Sequence, residues 1–229
     1  MYFEVPVLHQ SVVNVVAHSS AEIVIVQGRR VLQFMAVSFD GLQGVMWKSL
    51  SNGATLVFRG EKDILASLAT VHVLGCTPTA LAQFGYPEDF PNLKVVSVVG
   101  EVCPIALKNR WSVHCKMMNL YGPSECAIMT HLAALTSNDR ITIGRSVPNV
   151  NCYVLDSNFR SVPTGCIGEI FLGGICVSPG YINLPVETQK RFLDDPFAGR
   201  GGRMYRTGDL GHLLPDGNFE VLGRLDSQV

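Results

Sequence analysis

Residues 119–125, NLYGPSE, place an aromatic ring, a Gly-Pro bend, a hydroxyl and a carboxylate in the five positions 121 to 125. Tyr121 offers a face on which a purine can stack. Ser124 can donate to a phosphate oxygen, and Glu125 can hold a hard cation through oxygen. The same residues also make a capping turn, with Gly122-Pro123 as the bend and Ser124 as an N-cap. A second stretch, YRTGDLGHLLPDGNFEVLGRLDSQV (205–229), sets Asp209 after Thr-Gly and Arg224 after Gly. A carboxylate can accept two hydrogen bonds from ribose hydroxyls, and a guanidinium can hold a phosphate. Each of the two also reads as an ordinary loop charge. A third stretch, GEIFLGGICVSPGYINLPVETQKRF (168–192), reads as glycine-bent strands and a short helix with no reactive group.

These residues need elements to hold them. AEIVIV (21–26), VLQFMAVSF (31–39), ATLVF (54–58) and LKVVSVVG (93–100) are short and nearly continuously apolar, which predicts strands buried on both faces of a parallel sheet. Between them SVVNVVAHS (11–19), LQGVMWKSL (42–50), PTALAQF (78–84) and PIALKNRW (104–111) read as helices. Pro104 stands where a first helical turn tolerates it. The last apolar run ends in Val99-Gly100-Glu101, and ligands of open α/β sheets collect at the carboxyl ends of strands. After about residue 135 the texture changes to short β-like pieces (ITIGRSV, NCYVLD, GEIFLGG, VSPGYI, GNFEVLGR) broken by Gly, Pro, Asn and Asp. That predicts antiparallel strands, interrupted by one helix at PVETQKRF (185–192), with Asp216-Gly217 as a hairpin turn.

Composition narrows the function classes. Of the 229 residues, 47% are hydrophobic and 16% charged, which supports a packed core and argues against disorder. A net charge of -1 gives no electrostatic case for nucleic acid or an anionic membrane surface. No apolar run approaches the ~20 residues of a membrane span. The start, MYFEVPVLHQ, lacks the features of a signal peptide. Seven cysteines without a CxxC pair suit a reducing compartment, so a cytoplasmic location is expected. Six histidines show no ligand spacing, and no zinc site is expected.

In their order and spacing, NLYGPSE, GEIFLGG...GYINLPVET...RF, YRTGDL and GRLDSQV resemble the adenylate-forming (AMP-binding) superfamily. Within it they resemble the amino-acid adenylation domains of nonribosomal peptide synthetases. VLQFMAVSFD (31–40), VVGEVCP (98–104) and IGRSVPNVNCYVLD (143–156) extend the likeness over almost the whole chain. The resemblance implies an AMP-forming ligase that joins an amino acid to ATP and releases pyrophosphate. The acyl group then passes to the phosphopantetheine thiol of a carrier-protein domain, a step of secondary metabolism. The implied fold is α/β: a layered α/β sheet portion over residues 1–135, then a smaller mainly-β, distorted-barrel portion over 136–229.

The resemblance also implies roles for single residues. Tyr121 and Gly122 would lie against adenine, with Gly100, Glu101 and Val102 lining the nucleotide. Ser124 would contact phosphate, and Glu125 would hold Mg2+. Asp209 would bind the ribose hydroxyls, and Arg224 would contact the nucleotide. Asp226 matches a hinge to a further subdomain. Asp40 matches the group that pairs with the substrate's α-ammonium; read from its neighbours alone it is an N-cap for the helix that follows. Gly41, Gly44, Gly75, Ser97, Val99, Leu120, Ile128 and Met129 match the rest of the amino-acid pocket. Three glycines leave room and the apolar groups favour burial by ~25 cal/mol per Å², so a bulky apolar or aromatic amino acid is expected.

Two elements of the family's pattern, a phosphate loop with its lysine upstream and a C-terminal subdomain with its own lysine, do not match any residues here. The expectation is therefore an internal fragment of the large subdomain, inactive alone, with exposed sheet edges. Cys176 and Pro179 stand where the family usually has glycine and arginine, and Val221 where an aromatic is common. Two other readings stay open: an acyl- or aryl-CoA ligase of the same superfamily, and a non-catalytic remnant.

Overall fold

The computed structural model describes residues 4–60 and 63–225. They divide into two compact units: one within residues 15–121 and 132–141, the other within residues 4–14, 122–131 and 142–225.

The first unit is built on a parallel sheet. Helix α1 (His9–Ser19) leads into β1 (Arg30–Gln33), α2 (Gly41–Ser51), β2 (Thr55–Phe58), α3 (Ile64–Leu68), β3 (Val73–Cys76), α4 (Pro78–Gln83), β4 (Val95–Val99), α5 (Ile105–Trp111) and β5 (Lys116–Tyr121). The strand order is β2-β1-β3-β4-β5, with β6 (His131–Leu135) beyond β5. Registers from β2 to β5 are all parallel, and a helix precedes each return to the sheet, as parallel pairing requires. Successive side chains of a strand point to opposite faces. Leu32, Leu74, Val96 and Met117 therefore share one face with Leu81, Leu107 and Trp111. Val31, Val73, Val95 and Met118 share the other with Ile23, Ile25 and, from α2, Val45. Both faces are covered, which is why these strands read as unbroken apolar runs.

Two local expectations are corrected. The run at 21–26 forms no strand: it is a turn, with Val24 at φ 56, that drives Ile23 and Ile25 into the core. The run at 31–39 is a strand only to Gln33, and Val37 and Phe39 beyond it are exposed. A short apolar run records burial, and a turn can bury as well as a strand. Strands β3 and β5 were not singled out, because VHVLGC and KMMNLY are short and carry a polar or flexible residue inside.

The second unit is antiparallel. Strands β7 (Arg145–Ser146), β8 (Val150–Leu155), β9 (Gly168–Gly174), β10 (Phe192–Asp194), β11 (Arg203–Leu213) and β12 (Phe219–Arg224) carry one helix, α6 (Pro185–Arg191). The sheet runs β10-β11-β9-β8, and β12 pairs with β11. The β11–β12 hairpin turns through Gly217 at φ +84, a conformation glycine takes without a Cβ penalty. The piece VSPGYI, expected as a strand, forms none. Among the described residues no helix is long and apolar enough to cross a membrane.

Candidate functional site

In the α/β unit the expected substrate residues gather at the carboxyl ends of the strands. Gly75 on β3 pairs with Ser97 on β4, and Val99 pairs with Leu120 on β5. Alternation puts all four on the face that α2 covers, since Val73, Val95 and Met118 lie there with Val45. Gly44 lies one helical turn after Asp40 and is buried. Asp40 stands at the head of α2 in a helical conformation, φ -65 and ψ -16, and its side chain makes no capping bond. The N-cap alternative for this carboxylate is therefore not the one realised. Gly41 is held close to Met35: a Cβ there would come 2.7 Å from its Cε.

The turn after β4 is anchored. Gly100 takes φ +88 with nothing within 4 Å of where a Cβ would lie, so backbone is presented to open space. The Glu101 carboxylate accepts from the Thr79 backbone N–H at 3.0 Å and the Thr79 hydroxyl at 2.5 Å, in the first turn of α4. Those bonds, the hydroxyl's first, hold its pKa below the usual range. Glu101 is thus a strut for the turn, and Thr79 is a partner that sequence reasoning missed. Val102 is 84% exposed.

In the antiparallel unit, Gly122-Pro123 leads into a 3₁₀ turn over Ser124–Cys126 whose N-cap position is Pro123. Ser124 opens the turn and does not cap it. Gly122 is obligatory: a Cβ would lie 2.5 Å from the Met129 Cα. Ala127 and Ile128 follow at φ 56 and 72, a left-handed pair that L side chains rarely adopt. Ile128 and Met129 are both buried.

Glu125 has a defined setting. The Tyr181 hydroxyl donates to Glu125 Oε1 at 2.7 Å, and the Tyr205 hydroxyl lies 3.4 Å from that of Tyr181. The Glu125 carbonyl accepts from the Ser178 N–H at 2.9 Å. Burial, then the neighbouring carboxylate, pushes the Tyr205 phenol up; burial pushes Tyr181 up as well. Both phenols therefore remain protonated donors at neutral pH. Both residues lie inside motifs already quoted, GYINLP and YRTGDL, but nothing in the sequence pairs them with Glu125. Among the described residues no group of three or more His, Cys, Asp or Glu could hold a metal. A single oriented carboxylate instead fits Mg2+ that arrives on nucleotide phosphates, because that ion keeps waters and takes one or two carboxylates.

Asp209 and Arg224 face each other across β11 and β12, and Arg224 Nη1 donates to Asp209 Oδ1 at 2.8 Å. Arg224 Nη2 lies 3.4 Å from the Thr207 carbonyl, and the Thr207 hydroxyl accepts the Asp209 N–H at 2.9 Å. Beside them Arg206 Nε bridges both oxygens of Glu169 at 2.9 and 3.0 Å. Asp226 lies outside the described residues.

The chain matches the model of the AMP-binding enzyme family over residues 5–182. It belongs to that family. It is 39% identical to Nonribosomal peptide synthetase 5 of Aspergillus fumigatus over 96% of this chain and 10% of that protein. It is 41% identical to Adenylate-forming reductase 03009 of Coprinopsis cinerea over 98% of this chain and 22% of that protein. The nonribosomal peptide synthetase FmoA3 has the same fold: TM-score 0.86 at 27% identity, covering 96% of this chain and 26% of that one. The Vibrio cholerae adenylation domain AlmE, solved with glycyl-adenosine-5'-phosphate, superposes with TM-score 0.87 at 24% identity, over 98% of this chain and 46% of that one. This chain thus spans a tenth to a fifth of those two curated relatives.

Proposed function

We propose that this chain carries the amino-acid and nucleotide sites of an amino-acid adenylation domain acting within nonribosomal peptide synthesis. The observation that carries the reading is the family match over residues 5–182, with 39% identity to a peptide synthetase over 96% of the chain. Asp40 supports an amino acid over an aryl or fatty acid, since its carboxylate can pair with an α-ammonium and those acids offer no cation.

The substrates are MgATP and an amino acid. The amino-acid carboxylate attacks the α-phosphorus, the bond to pyrophosphate breaks, and pyrophosphate leaves with its negative charge. The residues here position rather than react. Asp40 holds the α-ammonium, and Gly75, Ser97, Val99 and Leu120 receive the side chain. The backbone of Gly100 to Val102 and the ring of Tyr121 take the adenine. Glu125, aimed by Tyr181, would hold the magnesium that arrives with ATP and would offset phosphate charge, and Ser124 donates to phosphate. Asp209 takes the ribose hydroxyls, which requires its bond to Arg224 to open or be shared. The acyl product then passes to a carrier-bound phosphopantetheine.

The reductase relative at 41% identity supports a second fate for the carrier-bound acyl group, reduction instead of peptide bond formation. The site chemistry is the same in both. The test is amino-acid-dependent exchange of pyrophosphate into ATP by this chain within a longer protein that supplies a phosphate loop and a C-terminal subdomain with their lysines. Exchange that needs an amino acid and falls at least tenfold in Asp40→Ala is expected. No exchange, together with no melting shift on adding an aminoacyl-adenylate analogue, overturns the reading. Carrier-free ligation to coenzyme A favours the CoA-ligase alternative.

A further inference from the structure

Two buried polar atoms of the α/β unit fit poorly with a wholly apolar substrate. Ser97 is 3% exposed, and its hydroxyl has no hydrogen-bond partner. Gln33 is 8% exposed; its Nε2 donates to the Met35 carbonyl at 2.7 Å, which fixes the amide's orientation and leaves Oε1 buried without a partner. Both residues point to the same side of the sheet. Gln33 alternates with Val31 and Ser97 with Val95, and those valines pack on the face covered by α2. The register that sets Leu32 beside Leu74 carries Gln33 alongside Gly75, and Gly75 pairs with Ser97. The orphaned atoms thus flank a glycine on three adjacent strands. A Cβ at Gly75 would find one heavy atom within 4 Å, Val45 Cγ2 at 3.9 Å.

Buried polar atoms are nearly always bonded, so two orphans around one open position call for a partner from outside the unit. Gln33 Oε1 can only accept, and a serine oxygen accepts as readily as it donates. One group satisfies either atom: a donor. The space at Gly75, and the apolar Val99 and Leu120, ask that the donor sit on a large and mostly apolar frame.

We infer that the amino acid taken by this site has a large, neutral, mainly apolar side chain bearing one hydrogen-bond donor, as a phenol or an indole does. Ser97 and Gln33 select it against isosteres that lack the donor. The inference rests on the adenylation reading. A side chain without a donor leaves both atoms desolvated and unbonded, and sites built to bond such a group reject the bare analogue strongly.

The test is calorimetric binding of non-hydrolysable sulfamoyl-adenosine analogues to the full chain: tyrosyl, tryptophanyl, phenylalanyl, leucyl and unacylated. The tyrosyl or tryptophanyl compound is expected to bind at least tenfold tighter than the phenylalanyl one. In Ser97→Ala or Gln33→Met the ratio falls to about threefold or less. Phenylalanyl or leucyl binding as tight as tyrosyl and tryptophanyl overturns the inference, as does a preference that survives both substitutions. In either case binding of the unacylated compound leaves the adenylation reading standing. Binding of no compound overturns both. The comparison in the unsubstituted chain does not depend on either variant folding.

Discussion

At the scale of single residues, the expected site turns on who orients whom. Glu125 has the Tyr181 hydroxyl 2.7 Å from one oxygen, so its direction is set by a residue 56 positions away. Tyr181→Phe keeps the ring and removes that bond. The magnesium concentration needed for half-maximal exchange should rise about tenfold, as for other partners that aim a metal-binding group, with KM for the amino acid unchanged. Equal magnesium dependence in the two forms sinks this role for Tyr181. The Asp209–Arg224 pair is asymmetric, with side chains 10% and 31% exposed. Arg224→Ala takes the guanidinium from the more buried carboxylate, whereas Asp209→Ala leaves the more exposed cation, which can turn to water. Arg224→Ala should therefore cost more, about 2–3 kcal/mol against about 1, read from urea midpoints. The sequence displayed Asp209, Glu125 and Arg224 because charged residues beside glycine draw attention. It concealed Thr79, Tyr181 and Tyr205, because a partner brought from a distant segment leaves no local spacing.

At the scale of elements, the bend entering the 3₁₀ turn is closely hemmed by backbone. Gly122→Ala places a methyl 2.5 Å from backbone, which cannot move aside. It should destabilise by about 3 kcal/mol or more. Gly165→Ala meets nothing within 4 Å and suffers only its φ of +86, so about 1–2 kcal/mol is expected from the same denaturation experiment. Equal costs would show that the turn yields. Helix α2 makes a separate prediction. Burial lowers the pKa of Lys48 from 10.5 to about 7. Between those values the unfolded chain holds the proton and the folded chain does not, so stability should rise with pH from about 7 to about 10. Lys48→Met should flatten that slope; a slope that persists assigns it to other groups. Most helices were legible because start signals and apolar spacing coincide, as in α2 after Asp40 and α5 after Pro104. The strand limits were less so. AEIVIV carries as strong an apolar signal as any true strand and is used as a plug.

At the scale of the whole molecule, family membership was legible from four motifs, while the exchange of residues 122–131 into the unit made mostly of later residues was not. A sequence is read along the chain, and these units are not laid out along it. The α/β sheet ends on β2, where Phe58 is 71% exposed on the outermost strand. An open edge with an apolar ring invites pairing with another chain. Light scattering of the chain should therefore grow with concentration, and Phe58→Lys should suppress it; identical scattering in both forms removes this edge as the cause.

The interleaving has a consequence in time. One unit comprises residues 15–121 and 132–141; the other needs residues 142–229 together with two earlier segments. At roughly 5–20 residues per second, a ribosome that has delivered residue 141 takes on the order of 4–18 s to deliver the remaining 88 residues, 229 less 141. Through that interval the strained turn at 127–128 and the glutamate beside it are already made but have no sheet to join. Until the later strands arrive, the nascent chain presents them unsupported.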